Sequence, residues 1–279
     1  MTGPERPPLT WLYAPGDRPE VVAKALRAGA DVVIVDLEDA VAPDRKRYAL
    51  DATAELLADR TPVPVHVRVN AVAGPLARRE VARLAGLPGL AGLRLPKVTG
   101  AAALATVADW AGATGPVPPL WPLLESALGL EAAFAIASGH PAVAGLALGE
   151  ADLRAELGVR DEAGLAWARG RAVVAARAAG LDPPAQSVYP DVRDLAGLAD
   201  SCRVGRSLGL CGRAAIHPRQ LAVIEEAFTP TADEVAAAGE ILAAAAAEAG
   251  AAALPDGRFV DPAVVAGARR TLALAARHP

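Results

Sequence analysis

The chain has 279 residues, of which 53% are hydrophobic, 22% charged and 4% aromatic, and its formal net charge is -4. That length can bury a substantial core, and an α/β barrel of this size normally forms one domain. There is no basic run to suggest nucleic acid, and no stretch approaches the roughly 20 strongly apolar residues of a membrane span, so a small-molecule ligand is expected.

In chain order, the N-terminal MTGPERPPLTWLY lacks a basic region, an apolar core and a small-residue cleavage site, which gives no secretory signal and an expected cytoplasmic address. Eight short apolar runs then follow, at 10–14, 32–36, 63–69, 92–95, 120–124, 143–148, 185–188 and 214–216. Segments such as EVVAKALRAGA and LAWARGRAVVAARAAG separate them, with apolar residues three and four apart, the period of an amphipathic helix. Eight alternations predict an α/β fold, a (β/α)8 TIM barrel with additional C-terminal helices. The barrel is expected over residues 1–228 and a helical extension or lid over 229–279. An open doubly wound sheet is the alternative, but no G-x-G-x-x-G or Walker-type loop follows an early strand. Pro230 begins the extra helical region, a Gly/Pro-interrupted link follows, and Asp261-Pro262 signals a final helix with Asp at the cap and Pro in the first turn.

Charged residues recur where the apolar runs stop. In a parallel β/α architecture the carboxyl ends of the strands share one face, so scattered residues become neighbours there. Glu125 and Asp152 end the fifth and sixth units and suit a hard divalent cation such as magnesium, although Glu125 as a helix cap and Asp152 as a solvated loop acid fit the spacing equally well. Glu150 competes with Asp152. Arg68 offers a fixed donor fork for a carboxylate or an enolate, or else an ion pair with Asp36, Glu38 or Asp39. Lys97 invites a Schiff base, with an ion-paired surface Lys as the more ordinary reading. His217 is an acid/base candidate or a loop-holding ring. Cys202 and Cys211 have no zinc-type spacing and read as buried or indifferent thiols.

The strings LYAPGDRPE, VDLEDAVAPDRK, HVRVN, LRLPK, LLESALGL, LGEADLRAELG and AAIHPRQL occur in that order over nearly the whole chain. Together they resemble the citrate lyase β-subunit-like family, the CoA ester lyase branch of the HpcH/HpaI aldolase superfamily. The resemblance implies Mg2+ held by Glu125 and Asp152, which decides between Asp152 and Glu150, with Glu125 also facing the substrate. It implies that Arg68 contacts the acyl or keto-acid part, that Tyr13 and Lys24 lie near the CoA moiety, and that Asp261 completes a neighbouring subunit's site in a homotrimer or hexamer. The expected reaction is cleavage of a CoA thioester substrate of the malyl-CoA or citramalyl-CoA type to acetyl-CoA and a 2-oxo acid, with Arg68 facing the enolate and Asp261 as acid/base. The alternatives are a citrate lyase β subunit acting on a carrier-protein thioester, a thioesterase or synthase, and a CoA-ester binding protein without turnover. Three positions depart from the pattern: Leu9 and Leu128 stand where relatives have Arg, and Gln186 where Asp is frequent.

Overall fold

The computed structural model describes residues 7–113, 115–247, 252–253, 257 and 259–277. The start of the N-terminal segment and much of the link before Asp261 lie outside them. Residues Pro8–Glu225 form one compact unit, and Met1–Pro7 with Glu226–Pro279 form another.

The larger unit holds a sheet of seven parallel strands: β1 (Thr10–Pro15), β2 (Val32–Asp36), β3 (Val65–Arg68), β4 (Leu90–Leu95), β5 (Leu120–Leu124), β6 (Ala147–Leu148) and β7 (Arg213–Ala215). Their spatial order is β6-β5-β4-β3-β2-β1-β7. Single parallel bridges Ala147↔Ala185 and Gln186↔Arg213 link the two ends through residues 185–186. The sheet therefore curls into a barrel-like α/β fold whose seventh expected strand is reduced to two bridging residues. Backbone bonds from Gln186 to the Gly212 carbonyl (2.9 Å) and from Ala214 to the Gln186 carbonyl (2.8 Å) are what it retains.

Burial on both faces explains the composition of the strands. All five residues of β2, VVIVD, are buried, as a parallel strand covered by helices on one side and barrel interior on the other requires. Inside, Trp11, Val32, Ile34 and Ala214 form a core against which Tyr13, Trp121, Ala185 and Val188 pack. Trp11, His66 and Trp121 make a mutual aromatic cluster with ring centroids 5.2 to 5.3 Å apart. Helices between strands lie outside, including Lys46–Leu57, Ala102–Gly112, Ala166–Ala178 and Leu195–Ser207. Gly212, at φ +77, approaches the Leu9 backbone so closely that a side chain there would collide with it.

The smaller unit pairs helices Ala232–Ala247 and Pro262–Ala275 beside a two-stranded ribbon, Ala252–Ala253 with Phe259–Val260. Val260 packs on Ile241, Ala244, Ala245 and Val265. Asp261 caps the last helix as its sequence predicts, its Oδ1 accepting from the Val264 amide at 2.9 Å. Among the described residues no helix is long and apolar enough to cross a membrane.

Candidate active site

A cavity of about 650 Å³ opens at the carboxyl ends of the strands, and every residue lining it belongs to the larger unit. Sheet register places its central charges in one row: Asp36 on β2 pairs with Arg68 on β3, Arg68 with Arg94 on β4, and Arg94 with Trp121 on β5. Lateral neighbours in a parallel sheet point the same way, so these side chains meet.

Arg68 is held by acids. Its Nε donates to Asp36 Oδ1 at 2.8 Å and its Nη2 to Asp36 Oδ2 at 2.6 Å, a bidentate fork, while Nη1 lies 3.1 Å from Glu38 and 3.4 Å from Asp39. The Tyr13 ring lies 5.3 Å from the guanidinium carbon. Burial alone would weaken the guanidinium's hold on its proton, but the Asp36 hydrogen bonds and charge outweigh it and strengthen that hold. The ion-pair reading of Arg68 is therefore realised in this structure, and the guanidinium still lines the cavity.

Glu125 leaves β5 just before Ser126, whose hydroxyl caps the next short helix by accepting from the Gly129 amide. The cap role open to Glu125 thus falls to Ser126. Glu125 is only 5% exposed, and its Oε1 accepts from the Lys97 amide at 2.6 Å. To present that amide Lys97 adopts φ 56, the left-handed region that a non-glycine residue rarely enters. Gly149 backs Glu125 on the other side, where a Cβ would stand 2.6 Å from Oε2. Burial, followed by the charges of Glu38 and Asp152, pushes the Glu125 carboxyl up to about 7.

Asp152, in the first turn of the helix Glu150–Leu157, is exposed and lines the same cavity. Glu150 is spent elsewhere: both of its oxygens bind Arg169, from Nε at 2.8 Å and Nη2 at 2.6 Å. The choice of Asp152 over Glu150 as the open carboxylate thus has a structural reason. Lys97 donates through Nζ to Glu38 Oε1 at 2.8 Å, and this bond raises its proton affinity. An imine-forming Lys needs the reverse, so Lys97 holds its neighbours in place. His217 holds its loop, Nδ1 accepting from the Arg219 amide at 3.1 Å while Gln220 Oε1 accepts from Ile216 N at 2.9 Å. Cys202 is buried and Cys211 half-buried, and neither is in a disulfide.

The remaining sequence-predicted residues divide. Tyr13 lines the cavity, whereas Lys24 is exposed on the helix Pro19–Ala25 and is absent from the lining. Asp261 lies in the other unit. Leu9 is fully buried, with its amide bound to Asp31 at 2.8 Å, and Leu128 is 62% exposed. Gln186 is fully buried, donating to Ser201 Oγ at 3.3 Å, and its Oε1 has no hydrogen-bond partner among the described residues. The cavity also contains two buried cations that sequence reasoning passed over, Arg94 and Arg213. The signal for Arg94 was a charge inside an otherwise apolar strand, and that for Arg213 a charge at the start of one rather than at its carboxyl end.

Two oxygen donors, one fixed by a backbone amide and both short of counter-charge, fit a hard divalent cation that keeps water or substrate in its shell. Among the described residues no group of three or more His, Cys, Asp or Glu could hold a metal alone. The model for HpcH/HpaI aldolase/citrate lyase matches residues 9–218, most of the chain. The chain belongs to this family. Relatives within the HpcH/HpaI aldolase/citrate lyase family include a (3S)-malyl-CoA thioesterase of Cereibacter sphaeroides, 38% identical over 272 residues, covering 95% of this chain and 93% of that protein. An L-malyl-CoA/beta-methylmalyl-CoA lyase of the same organism is 34% identical, with 92% and 91% covered. The crystal structure of CitE from Mycobacterium tuberculosis in complex with magnesium, acetoacetate and coenzyme A is 33% identical, with TM-score 0.82 over 98% of this chain and 100% of that one.

Proposed function

We propose that this chain is a magnesium-dependent carbon–carbon lyase that cleaves a 3-hydroxyacyl-CoA of the malyl-CoA or citramalyl-CoA type to acetyl-CoA and a 2-oxo acid, on a (β/α)8 barrel. The observation that carries the reading is the Glu125 carboxylate, buried beside Asp152 with Oε1 fixed by the Lys97 amide and Oε2 facing Gly149. Magnesium on Glu125 and Asp152 would supply a Lewis acid for the hydroxyl and carboxylate oxygens of the substrate.

As the acid/base group takes the substrate's hydroxyl proton, that oxygen becomes the carbonyl of the 2-oxo acid, the carbon–carbon bond breaks and its electrons move onto the thioester carbonyl, and the resulting enolate takes up a proton to give acetyl-CoA. Arg68 supplies positive charge near that developing anion, and its bidentate hold on Asp36 keeps it in place without reorganisation. Asp261 is assigned the acid/base step, delivered from a neighbouring subunit of a trimer or hexamer in the cytoplasm. Tyr13 and Lys24 are assigned to the CoA-bearing side of the acyl group.

Incubation of the purified protein and Mg2+ with malyl-CoA and citramalyl-CoA tests the reading, with acetyl-CoA and glyoxylate or pyruvate as the expected products. Free CoA with malate would replace the lyase by a thioesterase, the second reading, which the 38% identity to a (3S)-malyl-CoA thioesterase favours. Binding without either product would leave a CoA-ester binding protein. Activity restricted to a carrier-bound thioester would make it a citrate lyase β subunit.

A further inference from the structure

Asp152 has no contact of its own to aim it at Glu125. It is exposed, and among the described residues its side chain makes no hydrogen bond or ion pair. Its direction is therefore set by its backbone, the first turn of the helix Glu150–Leu157. That helix is gripped at three points. Arg169 takes both oxygens of Glu150, and the pair is almost wholly buried, with 1% and 7% of the two side chains exposed. Arg169 also donates to Glu162 Oε1, while Glu162 Oε2 accepts from Arg154 at 3.1 Å. Glu150 and Arg154 are four residues apart and share a helix face, so Arg169 and Glu162 together hold that face at its first and last turns. On another face, Glu156 Oε2 accepts from the amide of Ala127, two residues beyond Glu125, at 3.0 Å. Asp152 and Glu156 are also four apart, so the face that carries Asp152 is the one tied to the Glu125 segment.

Rotation of this helix is what the site cannot tolerate. A turn of about 20° moves an atom at the helix surface, about 5 Å from the axis, by about 2 Å. That is the length of a magnesium–oxygen bond, and magnesium demands near-ideal octahedral geometry. A two-point fork on a carboxylate resists such a turn where a point charge would let the oxygens swing. Stability alone does not call for the fork, since a packed apolar pair of similar volume commonly serves a fold as well as a buried ion pair does.

We infer that Arg169 is a positioning residue for the metal: by locking Glu150 it fixes the rotation of the helix Glu150–Leu157, and with it the distance between Asp152 and Glu125. This rests on the proposed magnesium role of that carboxylate pair and not on which thioester is cleaved.

Mn2+, which suits the same oxygen ligands as Mg2+ and is read by electron spin resonance, is titrated without substrate to test the inference. Glu150→Leu/Arg169→Met removes both charges at once and leaves no uncompensated ion between them. Its Mn2+ affinity should fall roughly tenfold to a hundredfold, with a broadened bound-metal spectrum. Arg169→Lys keeps the charge balance without the two-point grip and should lose a smaller part of the affinity. Leu57 is the control, fully buried at the amino-terminal side of the sheet, where its carbonyl accepts from Gly89 at 3.0 Å just before β4. Leu57→Ala should lower the Tm and keep the wild-type Mn2+ affinity.

Wild-type affinity in the folded double variant, or an equal loss in Leu57→Ala, would overturn the inference and leave Glu125 and Asp152 as metal ligands. If the double variant does not fold, Arg169→Lys decides by the same criterion. No Mn2+ binding by the wild type, or binding that survives Asp152→Ala, would overturn the metal reading and the inference with it. Malyl-CoA turnover enters none of these measurements, so a failure of the lyase reaction shows separately in the product assay.

Discussion

Glu125 makes metal-free stability depend on pH in a direction opposite to that of an ordinary salt-bridged acid. Its carboxyl titrates near 4.5 unperturbed and is pushed up to about 7 in the folded chain, first by burial and then by Glu38 and Asp152. Between those values the unfolded chain has released the proton and the folded chain still holds it, so stability falls as pH rises through the window. Above about 7 the whole penalty is present, roughly 3 kcal/mol from the size of the rise. Glu125→Gln removes the titration while keeping an oxygen for the Lys97 amide. Glu38 and Glu80 are also pushed up by burial, so the difference between wild type and variant isolates Glu125. Denaturant unfolding in EDTA from pH 5 to 8.5 should show the variant gaining on the wild type as pH rises, by up to about 3 kcal/mol. With Mg2+ the order should reverse at high pH, because the cation stabilises the ionised pair by mass action. A difference independent of pH in EDTA, or a variant less stable at pH 8, would refute the account of Glu125 as a carboxylate short of counter-charge.

Other outcomes follow from the same contacts. Arg68→Lys keeps the charge but loses the fork on Asp36, so it should lower kcat/KM at least tenfold and stability by about 2 kcal/mol; a wild-type rate and melting curve would reduce Arg68 to a replaceable charge. Gly149→Ala places a methyl 2.6 Å from Glu125 Oε2 and should weaken Mg2+ binding about tenfold at a stability cost of about 1–3 kcal/mol, measured by calorimetry and melting. Asp261→Ala removes the helix cap and should cost about 1 kcal/mol. Mixed oligomers of Asp261→Ala and Glu125→Ala subunits should recover activity that neither has alone, and verified mixtures without recovery would count against a shared site.

The strands were legible because parallel strands are apolar on both faces, and seven of the eight expected runs contain assigned strands. The run at 185–188 was legible as apolar but not as weakly paired: its hydrogen bonding reduces to two bridges, which depends on how the sheet ends meet and not on local composition. Carboxylates at strand ends were visible for the same reason as the strands. What the chain could not display was which charges cancel. Glu150 and Asp152 are two residues apart and look interchangeable, yet Arg169, nineteen positions on, occupies Glu150 and leaves Asp152 free. The acids around Arg68, from the end of β2 and the turn after it, were legible as candidate partners, whereas nothing in the local sequence marked Arg94 as a buried cation without an ion pair among the described residues.

Charge cancellation also separates the part of the mouth that is internally paired from the part that is not. Asp36, Glu38 and Asp39 surround Arg68, and Lys97 covers the other oxygen of Glu38, so this part of the mouth is internally paired and rigid. Glu125 and Asp152, after β5 and β6, are left with excess negative charge, and Arg94, on β4 between them and Arg68, has no ion pair among the described residues. A divalent cation held by Glu125 and Asp152 would relieve the negative excess that the fold leaves there. The bonds that pair Arg68 with its acids thus hold that part of the mouth rigid, and the charge left over gathers at the ends of β5 and β6, where the fold itself offers it no partner.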